Sequence, residues 1–283
     1  MRSIAAVFVC LLHKVSPYSF RGMMTSRKMQ MTNEADAEQS LSIKILALHG
    51  KGGDGESFAR QMQPLEAALL SASERLLDGH VSFEFDYPTA PYGLGDDGDG
   101  RAWWTLRPGE RSFTAREYIG YEQSATLVEN KLCQGPGFDF VIGHSQGAIL
   151  LSSLLASSDR LSKQCFIDNK GGDGESTTAR NLRGFVFNGS AWPNPNGRFL
   201  DDFQVPVSPK PWKAQEALFV IGTKDSINPP EGAERVRESF AGGGLPVQTV
   251  EHGGGHSFPT SLDPDSLEKI AEWFIYRVLG TVK

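Results

Sequence analysis

The chain has 283 residues, 39% of them hydrophobic and 22% charged, with a formal charge of −6. That is ordinary globular material, long enough for one large domain or two small ones with a sizeable core. The acidic balance disfavours a nucleic-acid groove or a polybasic membrane surface, and Cys10, Cys133 and Cys165 show neither C-x-x-C spacing nor a disulfide framework, which removes metal and redox chemistry built on cysteine.

Residues 1–40 differ from the rest. Arg2, the apolar run Ile4 to Leu12, then Lys14, Arg21, Arg27 and Lys28 precede the first acidic residue, Glu34. Nine apolar residues are too few to span a bilayer. The segment reads as an N-terminal extension, either a targeting segment or disordered, ahead of a single domain over 41–283. The expected compartment is the cytoplasm if the extension is no signal, and an organelle (mitochondrion or plastid) or the secretory route if it is.

The first strand expected is Ile43–Leu48, and the loop after it, LALHGKGGDGES over Leu46 to Ser57, admits three chemistries. Gly50, Gly52 and Gly55 fit the G-x-G-x-x-G of a dinucleotide loop, the same residues fit the frame of a phosphate loop, and His-Gly after a strand suits an oxyanion loop. A helix follows over Glu56–Ser71, interrupted at Pro64, and then a strand at Val81–Asp86. The connection Tyr87 to Arg111 is long and carries an acidic insert plus Trp103-Trp104, aromatics suited to the wall of a pocket. A helix is predicted over Ala115–Leu132.

The strand Phe138–Gly143 then runs into Gly143-His-Ser-Gln-Gly147, a G-x-S-x-G that opens an apolar helix over Ser145–Ser157. Strand, tight turn and helix are the context a nucleophile elbow needs. Glycines flank the turn, Ser145 projects from the strand end, and the helix N-terminus offers backbone donors to an oxyanion. KGGDGES of Lys51 to Ser57 recurs at Lys170 to Ser176, but with Asn169 where Gly50 stands and no comparable strand before it; a surface loop is expected there.

The remaining strands are Leu182–Asn188, Ala217–Gly222 and Pro246–Glu251, with helices at Pro230–Phe240 and Leu262–Leu279 and a proline-rich, aromatic loop from Ala191 to Trp212. A serine needs a base, and the base an orienting acid, in the chain order Ser, Asp or Glu, His on this kind of scaffold. His252 and His256 are the histidines downstream of Ser145. His256 is selected, because Gly253 to Gly255 form a loop that can deliver it above the sheet while His252 sits almost on the strand. Asp225 is selected over Asp201 and Asp202, because it follows the strand Ala217–Ile221 directly. H-x-x-x-H binds zinc on a helix, and three glycines argue against one, so no metal is expected.

Strands alternating with helices give an α/β fold, one doubly wound and mostly parallel sheet with helices on both faces. In that frame the phosphate-loop reading fails at Glu56, which stands where lysine is needed. The dinucleotide reading leans on Asp86, but that acid comes 31 residues after Gly55 against the usual ~20. The oxyanion reading uses both regions, with the backbone N–H groups of Lys51 and Gln146 facing the tetrahedral intermediate.

Taken together, LALHGKGGDGESF, FDYPTAPYG, RAWW, FVIGHSQGA, FVFNGSAWP, LFVIGTKDSINPPEGAERV and HGGGHSFP resemble the FSH family of serine hydrolases within the α/β-hydrolase superfamily, over roughly Ile43 to Tyr276. The resemblance implies an α/β-hydrolase core without a large separate cap, acting on carboxylic esters or thioesters without a cofactor. It puts Ser145, Asp225 and His256 on triad positions, Lys51 and Gln146 on oxyanion positions, and Trp103-Trp104 near the acyl pocket. The expected partner is a small acyl ester or thioester with an apolar acyl group, with neither nucleic acid nor an integral membrane span. The competing classes are a dinucleotide-dependent oxidoreductase and a non-catalytic binding protein that keeps the hydrolase fold. The N-terminal extension, the insert at Asp96 to Asp99 and the second glycine loop depart from the family pattern.

Overall fold

The computed structural model describes residues 41–77, 81–95, 100–134, 137–157, 182–203 and 215–280. The N-terminal extension, the insert Asp96–Asp99, the second glycine copy Lys170–Ser176 and residues 204–212 of the proline-rich connection lie outside them.

Strand β1, Leu41–Leu48, turns Ile43, Ile45 and Ala47 to one face and Leu46 and Leu48 to the other. Helix α1 follows over Gly55–Leu76, started by a capping box in which Asp54 accepts from the backbone of Ser57 and Ser57 answers the backbone of Asp54. Its stripe of Phe58, Met62, Leu65, Leu69 and Ala72 is buried. The interruption expected at Pro64 does not occur. A proline inside a helix costs about 3 kcal/mol, but Met62, Leu65 and Leu69 around it each contribute about 1.5–3 kcal/mol by burial, and Arg60, whose carbonyl loses its donor, is exposed.

β2, Val81–Asp86, ends in the long connection, which contains a small hairpin that its composition did not announce: β3, Tyr92–Leu94, against β4, Gly100–Ala102. Helix α2 covers Tyr121–Gln134, six residues later than predicted at its start. Gly120, at φ 88°, turns the chain there, and a Cβ on it would collide with the ring of Tyr92. Tyr118, expected inside the helix, instead stacks on Trp104 at 4.3 Å. Cys133, near the end of α2, is disulfide-bonded, a pairing that the cysteine spacing did not signal.

β5, Phe140–His144, leads into α3, Gln146–Ala156, a helix buried on every side. After β6, Gly184–Asn188, the proline-rich connection forms a turn of 3₁₀ helix at Asn194–Asn196 and a short helix α4, Gly197–Phe203, where an irregular loop was expected. β7, Glu216–Gly222, α5, Pro230–Gly242, β8, Val247–His252, and α6, Pro264–Leu279, complete the order.

Six strands form one sheet in the order β2-β1-β5-β6-β7-β8, and every neighbouring pair is parallel. Helices α1 and α6 cover one face over Ile43, Ile45, Val186, Leu218 and Val220; α2 to α5 cover the other over Leu46, Leu48, Phe187 and Phe219. Burial on both faces explains why β5, β6 and β7 read as continuous apolar runs. Parallel strands bring all their carboxyl ends to one edge, where ligands of open α/β sheets gather. No helix among the described residues is long and apolar enough to cross a membrane.

Candidate active site

Ser145 joins β5 to α3 with φ 52° and ψ −116°, the one non-glycine residue of positive φ among the described residues. Such a conformation costs on the order of 1–3 kcal/mol and persists only where its surroundings over-determine it. They do here. The Ser145 N–H donates to the Asn188 carbonyl at 2.9 Å, its carbonyl accepts from Ile149 N–H at 3.0 Å, and the helix beyond is buried throughout. Gly147 answers a constraint the sequence reading did not attribute to it. A Cβ there would collide with the Leu48 carbonyl at the end of β1, so the glycine seats α3 against the neighbouring strand rather than relieving its own turn.

His256 must travel to meet this serine. β8 lies three places from β5 in the sheet, about 14 Å at ~4.8 Å per strand. Its loop returns across the ends of the intervening strands: the Gly255 carbonyl lies over Gly222 at the end of β7, and the His256 ring lies over Gly189 at the end of β6. There His256 Nε2 stands 2.7 Å from Ser145 Oγ, and Nδ1 stands 2.6 Å from Asp225 Oδ2. Asp225 is 6% exposed, and its other oxygen, Oδ1, accepts from the backbone N–H groups of Ile227 and Asn228, each at 2.9 Å. An ionised carboxylate only accepts, so Nδ1 carries the imidazole proton and Nε2 is left to accept from the serine.

Three polar groups that the sequence reading missed fasten this arrangement. Asn228 Nδ2 donates to the Gly189 carbonyl at 2.7 Å, tying the Asp225 turn to the strand end beneath His256. Asn188 Nδ2 donates to His144 Nδ1 at 2.7 Å. His144 packs on Phe58 and lies 5.2 Å from the His256 ring, and burial, with His256 beside it, pushes its pKa down to about 3. It is therefore a neutral neighbour and adds no charge beside the candidate base. The only advance signal was position: Asn188 is the last residue of β6, and Asn228 lies in the turn that follows β7. The rival residues lie elsewhere: His252 ends β8, buried, with its Nε2 making no hydrogen bond among the described residues, and Asp201 lies on α4 facing Arg235 at 3.6 Å.

The loop after β1 passes directly against the serine, since a Cβ on Gly50 would stand 3.0 Å from Ser145 Cβ. It is hooked to β4 by Gly52 N–H donating to the Arg101 carbonyl at 2.8 Å and Arg101 N–H donating to Gly53 at 3.1 Å. Trp103 Nε1 donates to the His49 carbonyl at 2.8 Å. Gln146, expected to matter through its backbone, also uses its side chain: Oε1 accepts from Trp103 N–H at 2.8 Å and Nε2 donates to the Trp104 carbonyl at 2.9 Å. Ser124 Oγ donates to the Trp103 carbonyl. Trp103 and Trp104 are both 0% exposed, so the open face expected of a pocket wall is absent from either indole; Trp103 braces the loop beside Ser145 from within the core, and Trp104 packs on Tyr118 and Tyr121. Lys51 is exposed.

The same contacts account for the glycine pattern without a nucleotide. At the start of α1 the Gly55 N–H already donates to Thr89 Oγ1 at 3.1 Å and the Ser57 N–H to Asp54 at 2.7 Å, which occupies donors a pyrophosphate would need. Asp86, the acid that would hold a ribose, is ion-paired with Lys131 at 2.6 Å. Among the described residues no three His, Cys, Asp or Glu side chains are grouped to hold a metal.

A sequence model described as serine hydrolase (FSH1) matches residues 39–265. The chain belongs to this family. Membership makes the protein a hydrolase of the serine esterase and thioesterase class, which sets aside the oxidoreductase reading. It is similar to an esterase of Drosophila pseudoobscura pseudoobscura, 22% identical over 84% of this chain and 73% of the relative, and to Esterase OVCA2 of Danio rerio, 24% identical over 78% of this chain and 92% of the relative. Among solved structures, Zea mays acyl-protein thioesterase 2 superposes with a TM-score of 0.56 at 19% identity, over 84% of this chain and 95% of that one. The hydrolase thus has the α/β-hydrolase fold expected, with no large cap among its described residues.

Proposed function

We propose that this serine hydrolase cleaves a carboxylic ester or thioester with an apolar acyl group, through Ser145, His256 and Asp225 and an acyl-enzyme. The observation that carries the reading is the unbroken chain of short contacts from Asp225 Oδ2 through both nitrogens of His256 to Ser145 Oγ. His256 Nε2 takes the serine proton as Oγ attacks the acyl carbon, and the Asp225 carboxylate stabilises the imidazolium that forms. Collapse of the tetrahedral intermediate breaks the bond to the alcohol or thiol, which leaves with the proton from Nε2. Water, deprotonated by the same nitrogen, then attacks the acyl-serine and releases the acid.

The backbone N–H groups of Lys51 and Gln146 face the developing oxyanion. Supporting this are the closeness of Gly50 to Ser145 and the position of Gln146 as the first residue of α3. Trp103 and Trp104 serve the acyl site by fixing its wall from behind, and Ile227, half exposed two residues past Asp225, is the apolar side chain assigned to its mouth. The catalytic unit is assigned to 41–283, so a chain lacking residues 1–40 keeps its turnover.

The test is hydrolysis of an activated ester by the wild type and by Ser145→Ala, with labelling by a fluorophosphonate. Loss of both labelling and at least about 10⁴-fold of kcat in the variant is expected; undiminished turnover rejects the assignment. A series of esters and thioesters of rising chain length reads the acyl preference, and kcat/KM that does not rise with chain length rejects the apolar site.

A further inference from the structure

Resting on that reading, we propose that His49 is a positioning residue, which aims the oxyanion donor by holding the peptide between Gly50 and Lys51. His49 is 1% exposed at the end of β1, and its two ring nitrogens make bonds of opposite sense. Nδ1 stands 2.7 Å from the Gly50 carbonyl oxygen, which can only accept; Nε2 stands 3.0 Å from the Ala90 N–H, which can only donate. The imidazole is therefore neutral with its proton on Nδ1. Burial lowers its pKa, in keeping with that state.

The consequence follows from peptide geometry. In a trans peptide the C=O and the following N–H point to opposite sides, so anchoring the Gly50 carbonyl also aims the N–H of Lys51. Glycine has few steric barriers around its own dihedrals, and at position 50 such a peptide turns over easily unless something holds it. Gly53 N–H also donates to that carbonyl, at 3.2 Å, and Gly53 is in turn held to β4 through the Arg101 N–H, which secures the far side of the loop. His49 makes the shorter of the two contacts on the Gly50 carbonyl, 2.7 Å, and is the one that ties it to the core: its ring lies 5.3 Å from that of Trp103, and its other nitrogen is bound to Ala90 in the connection after β2. Its own carbonyl, taken by Trp103 Nε1, fixes the preceding end of the loop.

Two substitutions separate the ring's functions. His49→Asn puts an amide donor near the place of Nδ1 and keeps the bond to Gly50; His49→Gln reaches the place of Nε2 and keeps the bond to Ala90. Each variant is compared with the wild type for kcat, KM, thermal midpoint and affinity for an alkyl boronic acid, which forms a tetrahedral adduct on the serine. We expect His49→Asn to stay within about threefold in kcat and boronate affinity. We expect His49→Gln and His49→Leu to lose about 10²-fold or more in both, the scale of one oxyanion donor, with KM moved far less. Equal activity in the Asn and Gln variants, or losses that follow the thermal midpoint alone, overturn the proposal.

Wild-type protein with ¹⁵N-labelled histidine gives a second reading that no folding defect can obscure: an Nδ1–H tautomer at neutral pH is expected, and an Nε2–H tautomer for His49 overturns the proposal. Wild type that neither reacts with a fluorophosphonate nor binds the boronate refutes the serine-hydrolase mechanism instead, so the two failures are distinct.

Discussion

The imidazole of His256 rests on Gly189: a Cβ built on that glycine would stand 3.0 Å from both Cε1 and Nδ1 of the ring. Gly189 follows the last residue of β6, between the strand that carries Ser145 and the strand that leads to Asp225. The His256 ring, the base under the proposed function, therefore crosses a strand end that carries no side chain. Gly189→Ala would add a methyl group under the ring and strain a backbone at φ 56°, at about 1–2 kcal/mol. The expected result is a kcat lower by about tenfold to a hundredfold, with a matching slowing of fluorophosphonate labelling. Wild-type rates in both assays would mean that the ring is not seated there during turnover.

Asp225→Asn tests the tautomer. The backbone donors of Ile227 and Asn228 fix Oδ1 as an acceptor, so an asparagine keeps its amide oxygen there and turns its NH₂ toward His256 Nδ1. The imidazole must then accept at Nδ1 and carry its proton on Nε2, facing the serine that needs a base. A fall of about 10⁴ in kcat at neutral pH is expected with the thermal midpoint little changed. A loss below tenfold would remove Asp225 from the role given to it.

Ser145 adopts its backbone against its own preference, so the identity of an inactive replacement should matter. Alanine and glycine both remove the hydroxyl, but only glycine tolerates φ 52° without a Cβ penalty. Ser145→Gly is expected to exceed Ser145→Ala in unfolding free energy by about 1 kcal/mol, read from urea midpoints. Alanine proving the more stable would show that the elbow stores no strain.

Acid should weaken the fold through three histidines that the folded state keeps neutral. His144 has its pKa lowered to about 3, first by burial and then by His256; His49 and His252 are lowered as well, again chiefly by burial. In the unfolded chain a histidine binds its proton near pH ~6.5. Between that value and about 3 the unfolded state holds a proton that folded His144 refuses, so stability rises with pH across the window and is lost as pH falls through it. The slope is at most about 1.4 kcal/mol per pH unit for each such histidine. Urea midpoints should drop between about pH 7 and pH 5, and His144→Asn, whose amide oxygen can accept from Asn188 in place of Nδ1, should flatten the drop. A midpoint constant over that range would contradict neutral burial.

Much of this arrangement is legible along the chain because its cause is local. The apolar runs of β5, β6 and β7 follow from burial on two faces, and the serine turn is marked by its strand, its glycine and its helix. The choice of His256 over His252 came from three glycines, and they form the loop that carries it back across Gly222 and Gly189. The misses share the opposite cause. Pro64 stays helical because a stripe packed on the sheet outweighs a local penalty, and α2 starts late because Gly120 must make room for Tyr92, 28 residues earlier. The hairpin β3-β4 and helix α4 lie in connections whose composition looks irregular.

The sequence by itself determined the chain order of the six sheet strands and of the long helices between them, the elbow at Ser145 and the residues that face the carboxyl edge of the sheet, since periodicity and turn chemistry act over a few neighbours. Tertiary structure decided how those residues meet: that Trp103 and Trp104 are enclosed, that the Gln146 side chain holds them, that His49 has one tautomer and that Asn228 ties the acid to Gly189. Each of these depends on which polar partner a buried group finds. That partner comes from segments distant in the chain, brought within about 3 Å only once the sheet has closed.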